Sequence, residues 1–435
     1  MKIAVFGLGY VGVVTAGCFA RDGHEVIGVD VSAAKVAELN GGRSPILEKD
    51  IPEIVRAAVA QGRLSATTTP STALEGVQMA FVCVGTPSRA DGSLDTSFLE
   101  RVLEQIGQSL RGRKLPLTLV IRSTVLPGTV RRVALPILEQ AAGRPAGDGY
   151  EVLFHPEFLR ESCAVRDFDE PPKIVIGERA PGAGADRLLE LYPGIVAPRW
   201  VTAYETAEMV KYTDNVYHAL KVTFANEIGL VSQSLGVDAA LVMEIFRSDT
   251  KLNISPAYFR PGFAFGGSCL PKDTRALTHS AARQNVQTPV LHAILSSNRA
   301  QIDRVVARLL ATGKRRIGFH GLAFKPGTDD LRESQFVELA ERLLGKGCEL
   351  RIYDEHVHYT HLTGRNKAYV DEALPHLARL LVAEQVALEG CELIVLAHPA
   401  PAARVEAWLA AGVIVFDLGP GRSLGREAAG YLTVV

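Results

Sequence analysis

The sequence predicts an α/β chain in which two parallel-sheet units, each with helices on both faces, are joined by a helical middle. Three observations predict it. Short apolar runs alternate with helical patterns from residue 1 to about 200, and a second such series begins near residue 316; this alternation reads as βαβ units. Between the two series, residues 204–310 carry helical periodicity and no strand signal. The length of 435 residues suits two or three domains better than one core.

The first strand is expected at 3–6, and Gly7-Leu8-Gly9-Tyr10-Val11-Gly12 follows it directly. In a strand–GxGxxG–helix unit the first glycine permits the turn and the second lets the backbone approach a pyrophosphate. The third lets helix and strand pack closely, and the helix N-terminus faces the phosphates. A strand at 26–29 then ends at Asp30, eighteen residues past Gly12. A carboxylate there bonds a ribose 2′-hydroxyl and repels a 2′-phosphate, which favours NAD over NADP. Lys35 lies in reach of the same ribose or of the phosphates. An unrelated glycine-rich turn would leave strand, helix and acid in register by chance.

Further strands at 79–84, 117–121 and 173–176 complete a Rossmann-like unit over residues 1–202. Ligands of such sheets sit beyond the carboxyl ends of the strands, where Gly85-Thr86-Pro87 and Ser123-Thr124-Val125 fall. Thr86 and Thr124 are therefore candidate cofactor contacts, with helix-capping hydroxyls as the alternative. Linkers are expected at 198–200 and 312–314. Residues 203–312 form the central helical domain, and residues 313–435 a second Rossmann-like unit with strands at 317–319, 350–353, 393–397 and 413–416.

The most informative stretch lies in the middle: Arg260-Pro261-Gly262-Phe263-Ala264-Phe265-Gly266-Gly267-Ser268-Cys269-Leu270-Pro271-Lys272-Asp273. The glycine pair lets the backbone bend around a ligand, Pro271 fixes the chain after the cysteine, and a nearby lysine favours the nucleophilic thiolate. A small buried core residue is the alternative for such a cysteine. Lys211, Asn215 and His218 stand at i, i+4 and i+7, one polar stripe of a helix; Lys and Asn are suitable donors to an oxyanion. A solvated face is the bland reading. Pro156-Glu157-Phe158-Leu159-Arg160-Glu161 offers two carboxylates four residues apart, either able to handle a proton. The tract Asp354-Glu355-His356-Val357-His358-Tyr359-Thr360-His361 has no cysteine partner and reads as an exposed loop rather than a metal site; no metal is expected.

Lys+Arg total 47 against 48 Asp+Glu, so no basic field exists to gather nucleic acid or an anionic membrane. No eighteen apolar residues run together and no signal peptide is seen. The six cysteines are scattered without a CxxC pair, which fits neither a disulfide framework nor a zinc ribbon. A cytoplasmic location is expected.

These segments resemble the UDP-glucose/GDP-mannose dehydrogenase family over nearly the whole chain. Besides the stretches above, the resemblance includes Cys83-Val84-Gly85-Thr86-Pro87, residues 122–129, residues 221–229 and Phe324-Lys325-Pro326-Gly327-Thr328-Asp329-Asp330-Leu331-Arg332-Glu333-Ser334. It implies a four-electron, NAD-dependent oxidation of a sugar-nucleotide C6 alcohol to a carboxylate, through a thiohemiacetal and thioester on Cys269. By family position Lys211 and Asn215 stabilise the oxyanion, while Glu161, Thr124 and Asp273 arrange water and protons. Glu161, Lys211, Asn215, His218, Asn226, Tyr258, Arg260, Phe263, Gly266 and Lys325 would hold the sugar nucleotide. Gly7, Gly9, Tyr10, Val11, Gly12, Asp30, Lys35, Thr86 and Thr124 would hold NAD, with Lys272 and Arg332 at the junction of cofactor and substrate. The resemblance implies a homodimer or higher homo-oligomer. His218 and residues 260–265 favour GDP-mannose over UDP-glucose, whereas Ala257 replaces a tyrosine of the mannose-oxidising members.

Overall fold

A computed structural model describes every residue except 92, 183, 260, 261, 268, 363, 383–389, 420–427 and 435, and the side chains of 361, 364 and 365. It divides into two compact units, Met1–Ala219 and Leu220–Val435, with the division falling inside the helix Tyr204–Ser234.

The first unit is built on strands β1 (Lys2–Phe6), β2 (Glu25–Val29), β3 (Leu64–Thr67), β4 (Met79–Val82), β5 (Leu117–Ile121), β6 (Tyr150–Phe154), β7 (Ile174–Glu178) and β8 (Arg199–Ala203). They form one sheet in the order β3-β2-β1-β4-β5-β6-β7-β8. Both faces are covered, as the apolar runs demand: along β1, Ile3 and Val5 join one core while Ala4 and Phe6 join the other. The order reverses at β1 and β4, the switch point where such sheets bind ligands.

Two features differ from the sequence reading. Residues 198–200, expected as a linker, lead into β8, and β3, β6 and the second unit's strand Tyr431–Thr433 went unrecognised as well. β3, β8 and Tyr431–Thr433 are edge strands without the two-sided burial that makes a strand legible, whereas β6 is central and buried but carries Glu151 in a short run. Also, β7 runs antiparallel to β6, with the short helix Ala164–Asp169 in the connection between them. The stretch from His155 to Lys173 therefore stays at the carboxyl edge of β6.

The second unit carries the rest of the helix Tyr204–Ser234, then the helices Ala239–Ser248, Leu270–Arg283 and Pro289–Ala311. Its sheet comprises β9 (Arg316–His320), β10 (Glu349–Tyr353), β11 (Leu393–Leu396), β12 (Ile414–Asp417) and β13 (Tyr431–Thr433), all parallel in the order β10-β9-β11-β12-β13. Ile302, Val305 and Leu309 of the last helix pack with Ile317 and Phe319 of β9.

The second unit repeats the first turn of the first unit. Gly7 N–H donates to the Val29 carbonyl at 2.7 Å, and Leu8 N–H to Asp30 Oδ2 at 2.7 Å. Gly321 N–H donates to Tyr353 O at 2.7 Å, and Leu322 N–H to Asp354 Oδ2 at 2.7 Å. Asp354 thus serves a turn. The repeat goes no further, since the His398 ring packs where a Cβ on Gly321 would lie and the next helix starts only at Gln335.

Candidate active site

The helix Tyr10–Arg21 starts at Gly9 with no side-chain cap, so its first-turn N–H groups point outward as an anion cradle. A Cβ on Gly9 would meet nothing within 4 Å, whereas one on Gly12 would overlap the Gly7 carbonyl. Gly7 itself sits at φ +93°, which a side chain rarely adopts. Open space above uncapped amides fits a pyrophosphate. Asp30 accepts Leu8 N–H through Oδ2 and Ser32 N–H through Oδ1 at 2.9 Å, and Lys35 Nζ stands 3.8 Å from Oδ2. The carboxylate therefore shapes the turn as well as standing where a ribose is expected. Thr86 Oγ1 donates to the Thr124 carbonyl at 2.6 Å, binding together the loops after β4 and β5.

At the same edge, the loop after β6 is clamped by three carboxylates. Glu157 Oε2 accepts Leu159 N–H at 2.6 Å. Asp167 accepts Arg160 N–H at 2.9 Å together with the Arg160 guanidinium, at 2.7 Å to Oδ1. Glu48 accepts Ser162 N–H at 2.7 Å and Ala164 N–H at 3.1 Å. Glu161 is left exposed on a loop whose backbone is fixed. The other oxygen of Glu157 pairs with Lys211 Nζ at 2.8 Å. Of the polar stripe, Lys211 is buried while Asn215 and His218 are exposed, so the stripe is neither a plain solvated face nor uniformly inward.

Behind Glu157 lies a buried polar chain. Arg122 donates to the Tyr192 hydroxyl at 3.3 Å, and that hydroxyl meets His155 Nε2 at 2.9 Å. Burial, and secondarily the Arg122 charge, pushes the His155 imidazole down to about 3. Burial likewise pushes the Cys18 and Cys83 thiols up to about 12, keeping them inert.

In the second unit, Cys269 is exposed and stands at the N-cap of the helix Leu270–Arg283. Its loop is held by backbone contacts. Asn298 brackets Phe265, accepting its N–H at 2.9 Å and donating to its carbonyl at 2.8 Å. Gly267 N–H donates to the Glu333 carbonyl at 3.0 Å, and a Cβ on Gly266 would collide with Gln335. Lys272 pairs with Asp273 at 2.8 Å and Arg332 with Asp330 at 2.7 Å. These carboxylates raise both cations, and the charge of Cys269 adds a smaller contribution to each.

Beside the loop, Ala257, Tyr258, Phe263 and Phe265 line a cavity of about 1090 Å³ with Asn298 and Gln301. Phe263 stacks on Phe336 with ring centres 5.8 Å apart. Tyr258 is exposed at φ +64°. Asn226 borders a separate cavity with Gly229 and Gln233. Lys325 is exposed and lies over the Phe324 ring at 5.5 Å. Arg260 falls outside the described residues. Among the described residues no His/Cys/Asp/Glu group is arranged to hold a metal ion, and no helix is long and apolar enough to cross a membrane.

Sequence reasoning missed Glu48 and the Arg122–Tyr192–His155 chain. Nothing local marks Glu48, whose partners lie 114 and 116 residues away.

Comparison with known proteins bears on the same features. Residues 1–196 match the NAD binding domain of the UDP-glucose/GDP-mannose dehydrogenase family, 205–300 its central domain and 318–419 its UDP binding domain. The chain is 49% identical over 399 residues to the GDP-mannose 6-dehydrogenase of Pseudomonas putida, covering 92% of this chain and 91% of that one. It is 37% identical to the UDP-glucose 6-dehydrogenase AglM of Haloferax volcanii, covering 81% of this chain and 83% of that one. A crystal structure of a ternary complex of GDP-mannose dehydrogenase from Pseudomonas aeruginosa matches at TM-score 0.93 and 44% identity, with both chains fully covered. A UDP-glucose dehydrogenase from Pyrobaculum islandicum matches at TM-score 0.56 and 34% identity, over 100% of this chain and 97% of that one. With its NAD-binding domain and its dehydrogenase relatives, the chain is an NAD-dependent oxidoreductase that belongs to the UDP-glucose/GDP-mannose dehydrogenase family.

Proposed function

We propose that the chain oxidises the C6 alcohol of GDP-mannose to the carboxylate, with two NAD consumed per sugar. The observation that carries the chemistry is the exposed Cys269 thiol at the head of a helix, on a loop held by Asn298 and the Glu333 carbonyl. The likeness to the Pseudomonas proteins supports the choice of sugar.

NAD, held at the Gly7–Gly12 cradle with Asp30, Lys35, Thr86 and Thr124, supplies a hydride acceptor. The protein's residues do the rest. Loss of a hydride from C6 and of a proton from its hydroxyl gives an aldehyde. The Cys269 sulfur adds to its carbonyl carbon, and Lys211 and Asn215 donate to the oxygen that becomes negative. Loss of a second hydride leaves a thioester; Glu161, Thr124 and Asp273 orient the water that attacks it, and the sulfur leaves as thiolate. His218, Asn226, Tyr258, Arg260, Phe263, Gly266 and Lys325 hold the sugar nucleotide.

We also assign residues 1–202 to NAD, 203–312 to dimerisation and the thiol loop, and 313–435 to the nucleotide sugar. A homodimer through the central helices agrees with the helix Ala239–Ser248, none of whose residues is buried, and with the exposed Leu230, Leu235, Leu241 and Ile245. The test is a substrate panel with NAD, following NADH and uronate. The expected result is two NADH per sugar and a higher kcat/KM for GDP-mannose than for UDP-glucose; faster turnover of UDP-glucose would overturn the sugar assignment.

A further inference from the structure

The loop bearing Glu161 and the loop bearing Tyr10 share a single carboxylate. Glu48 is 5% exposed. Its Oε2 accepts the Tyr10 hydroxyl at 2.5 Å and Ser162 N–H at 2.7 Å, and its Oε1 accepts Ala164 N–H at 3.1 Å. Tyr10 is the first residue of the helix whose uncapped end forms the phosphate cradle, and Ser162 follows Glu161 directly. Ser162 also sits at φ +69°, a strained backbone state that persists only where surroundings enforce it. The other clamps of this loop, Glu157 and Asp167, come from the loop itself or the helix after it. Glu48 comes from a segment far away in sequence, and of the three it alone also reaches the cofactor side.

We propose that Glu48 is a positioning residue that fixes Glu161 through the Ser162 and Ala164 amides and, through the Tyr10 hydroxyl, makes that position depend on the occupied NAD cradle. It touches neither substrate nor cofactor. A glutamine in its place offers one acceptor oxygen where three donors converge, and its NH₂ would face an amide N–H. The proposal rests on the reading of Glu161 as a catalytic residue.

Glu48→Gln, Tyr10→Phe and Glu161→Gln, singly and paired, provide the test in the full-length enzyme with whichever sugar nucleotide the wild type oxidises. Glu48→Gln is expected to lower kcat by about tenfold or more with a smaller change in sugar KM, and to add little to Glu161→Gln, because residues acting as a unit are not additive. Independent losses that multiply in the double variant would overturn the proposal. Amide hydrogen exchange over residues 161–165, with NAD and without sugar, supplies a readout that needs no turnover. NAD is expected to slow exchange there in the wild type and to lose that effect in Tyr10→Phe and in Glu48→Gln alike. The Tyr10 hydroxyl also lies 3.3 Å from the Arg160 carbonyl, and an effect lost in Tyr10→Phe but kept in Glu48→Gln would assign the link to that carbonyl and overturn the role of Glu48. An NAD effect that survives in Tyr10→Phe would sink the coupling even if Glu48→Gln failed to fold. A wild type inactive on GDP-mannose would instead count against the proposed substrate alone.

Discussion

Lys211 and Glu157 form an ion pair at 2.8 Å with side chains only 8% and 11% exposed. Removing one partner of a buried pair leaves an uncompensated charge, which costs about 3–5 kcal/mol. Lys211→Met is therefore expected to lower stability and activity together. Adding Glu157→Gln removes the stranded charge and is expected to restore much of the lost Tm. It should leave kcat depressed by about a hundredfold or more, the scale of one lost oxyanion donor. Thermal melts beside kcat for both variants separate the roles. Activity that recovers with Tm would mean Lys211 is structural only.

Cys269→Ser is expected to abolish uronate formation while leaving NAD affinity within about twofold, since the cradle lies on residues 7–12 and serine is a far weaker nucleophile at neutral pH. The measurements are uronate by chromatography and NAD binding by calorimetry. Uronate at the wild-type rate would exclude a covalent thioester.

The chain's alternating runs and its glycine loop made the two-sheet architecture legible, because central parallel strands are buried on both faces and read as continuous apolar segments. Edge strands did not, since β8 is almost wholly exposed and its residues look like a linker; nor did the central β6, whose short run carries Glu151. The reversal at β7 was illegible for a different reason. Nothing in the run from Ile174 to Glu178 encodes direction, and neither does the connection before it, since a connection of similar length leads from β7 to the parallel β8. Among site residues, the motif cysteine and the Lys211 stripe could be picked out locally. Glu48, Arg122 and Tyr192 could not, since each acts through partners distant in sequence, and Asp354, read as part of an exposed loop, is buried and accepts Leu322 and Ala323 N–H at 2.7 and 3.0 Å.

Asp30 has two tasks. Its oxygens accept Leu8 and Ser32 N–H groups, and its charge disfavours a 2′-phosphate. The wild type is expected to prefer NAD strongly. Asp30→Ala should lose at least tenfold in kcat/KM for NAD, lose less for NADP, and melt at a lower temperature because the turn is left unsatisfied. Parallel kinetics with both cofactors check this; equal use of NADP by the wild type would remove Asp30 from the ribose.

His155 sets an acid limit on stability. Its Nδ1 lies 2.8 Å from the Val175 carbonyl and its Nε2 2.9 Å from the Tyr192 hydroxyl. A carbonyl can only accept, so Nδ1 carries the proton and Nε2 accepts from Tyr192, whose oxygen in turn accepts from Arg122. The ring is therefore neutral, and burial followed by the Arg122 charge takes it from 6.5 down to about 3. Between those values the unfolded chain binds a proton that the folded chain refuses, so stability rises with pH across that window. The contribution is complete above about pH 6.5 and disappears as pH falls toward 3. At 1.36 kcal/mol per unit it amounts to at most ~5 kcal/mol. His155→Gln removes the titration, keeping one donor or acceptor but not both. The variant is expected to be less stable than the wild type at pH 7, with the gap narrowing toward pH 4. Urea unfolding at pH 4, 5, 6 and 7 gives the two slopes. The wild-type slope should exceed the variant's by up to one proton's worth, and identical slopes would show that His155 does not titrate between the two states.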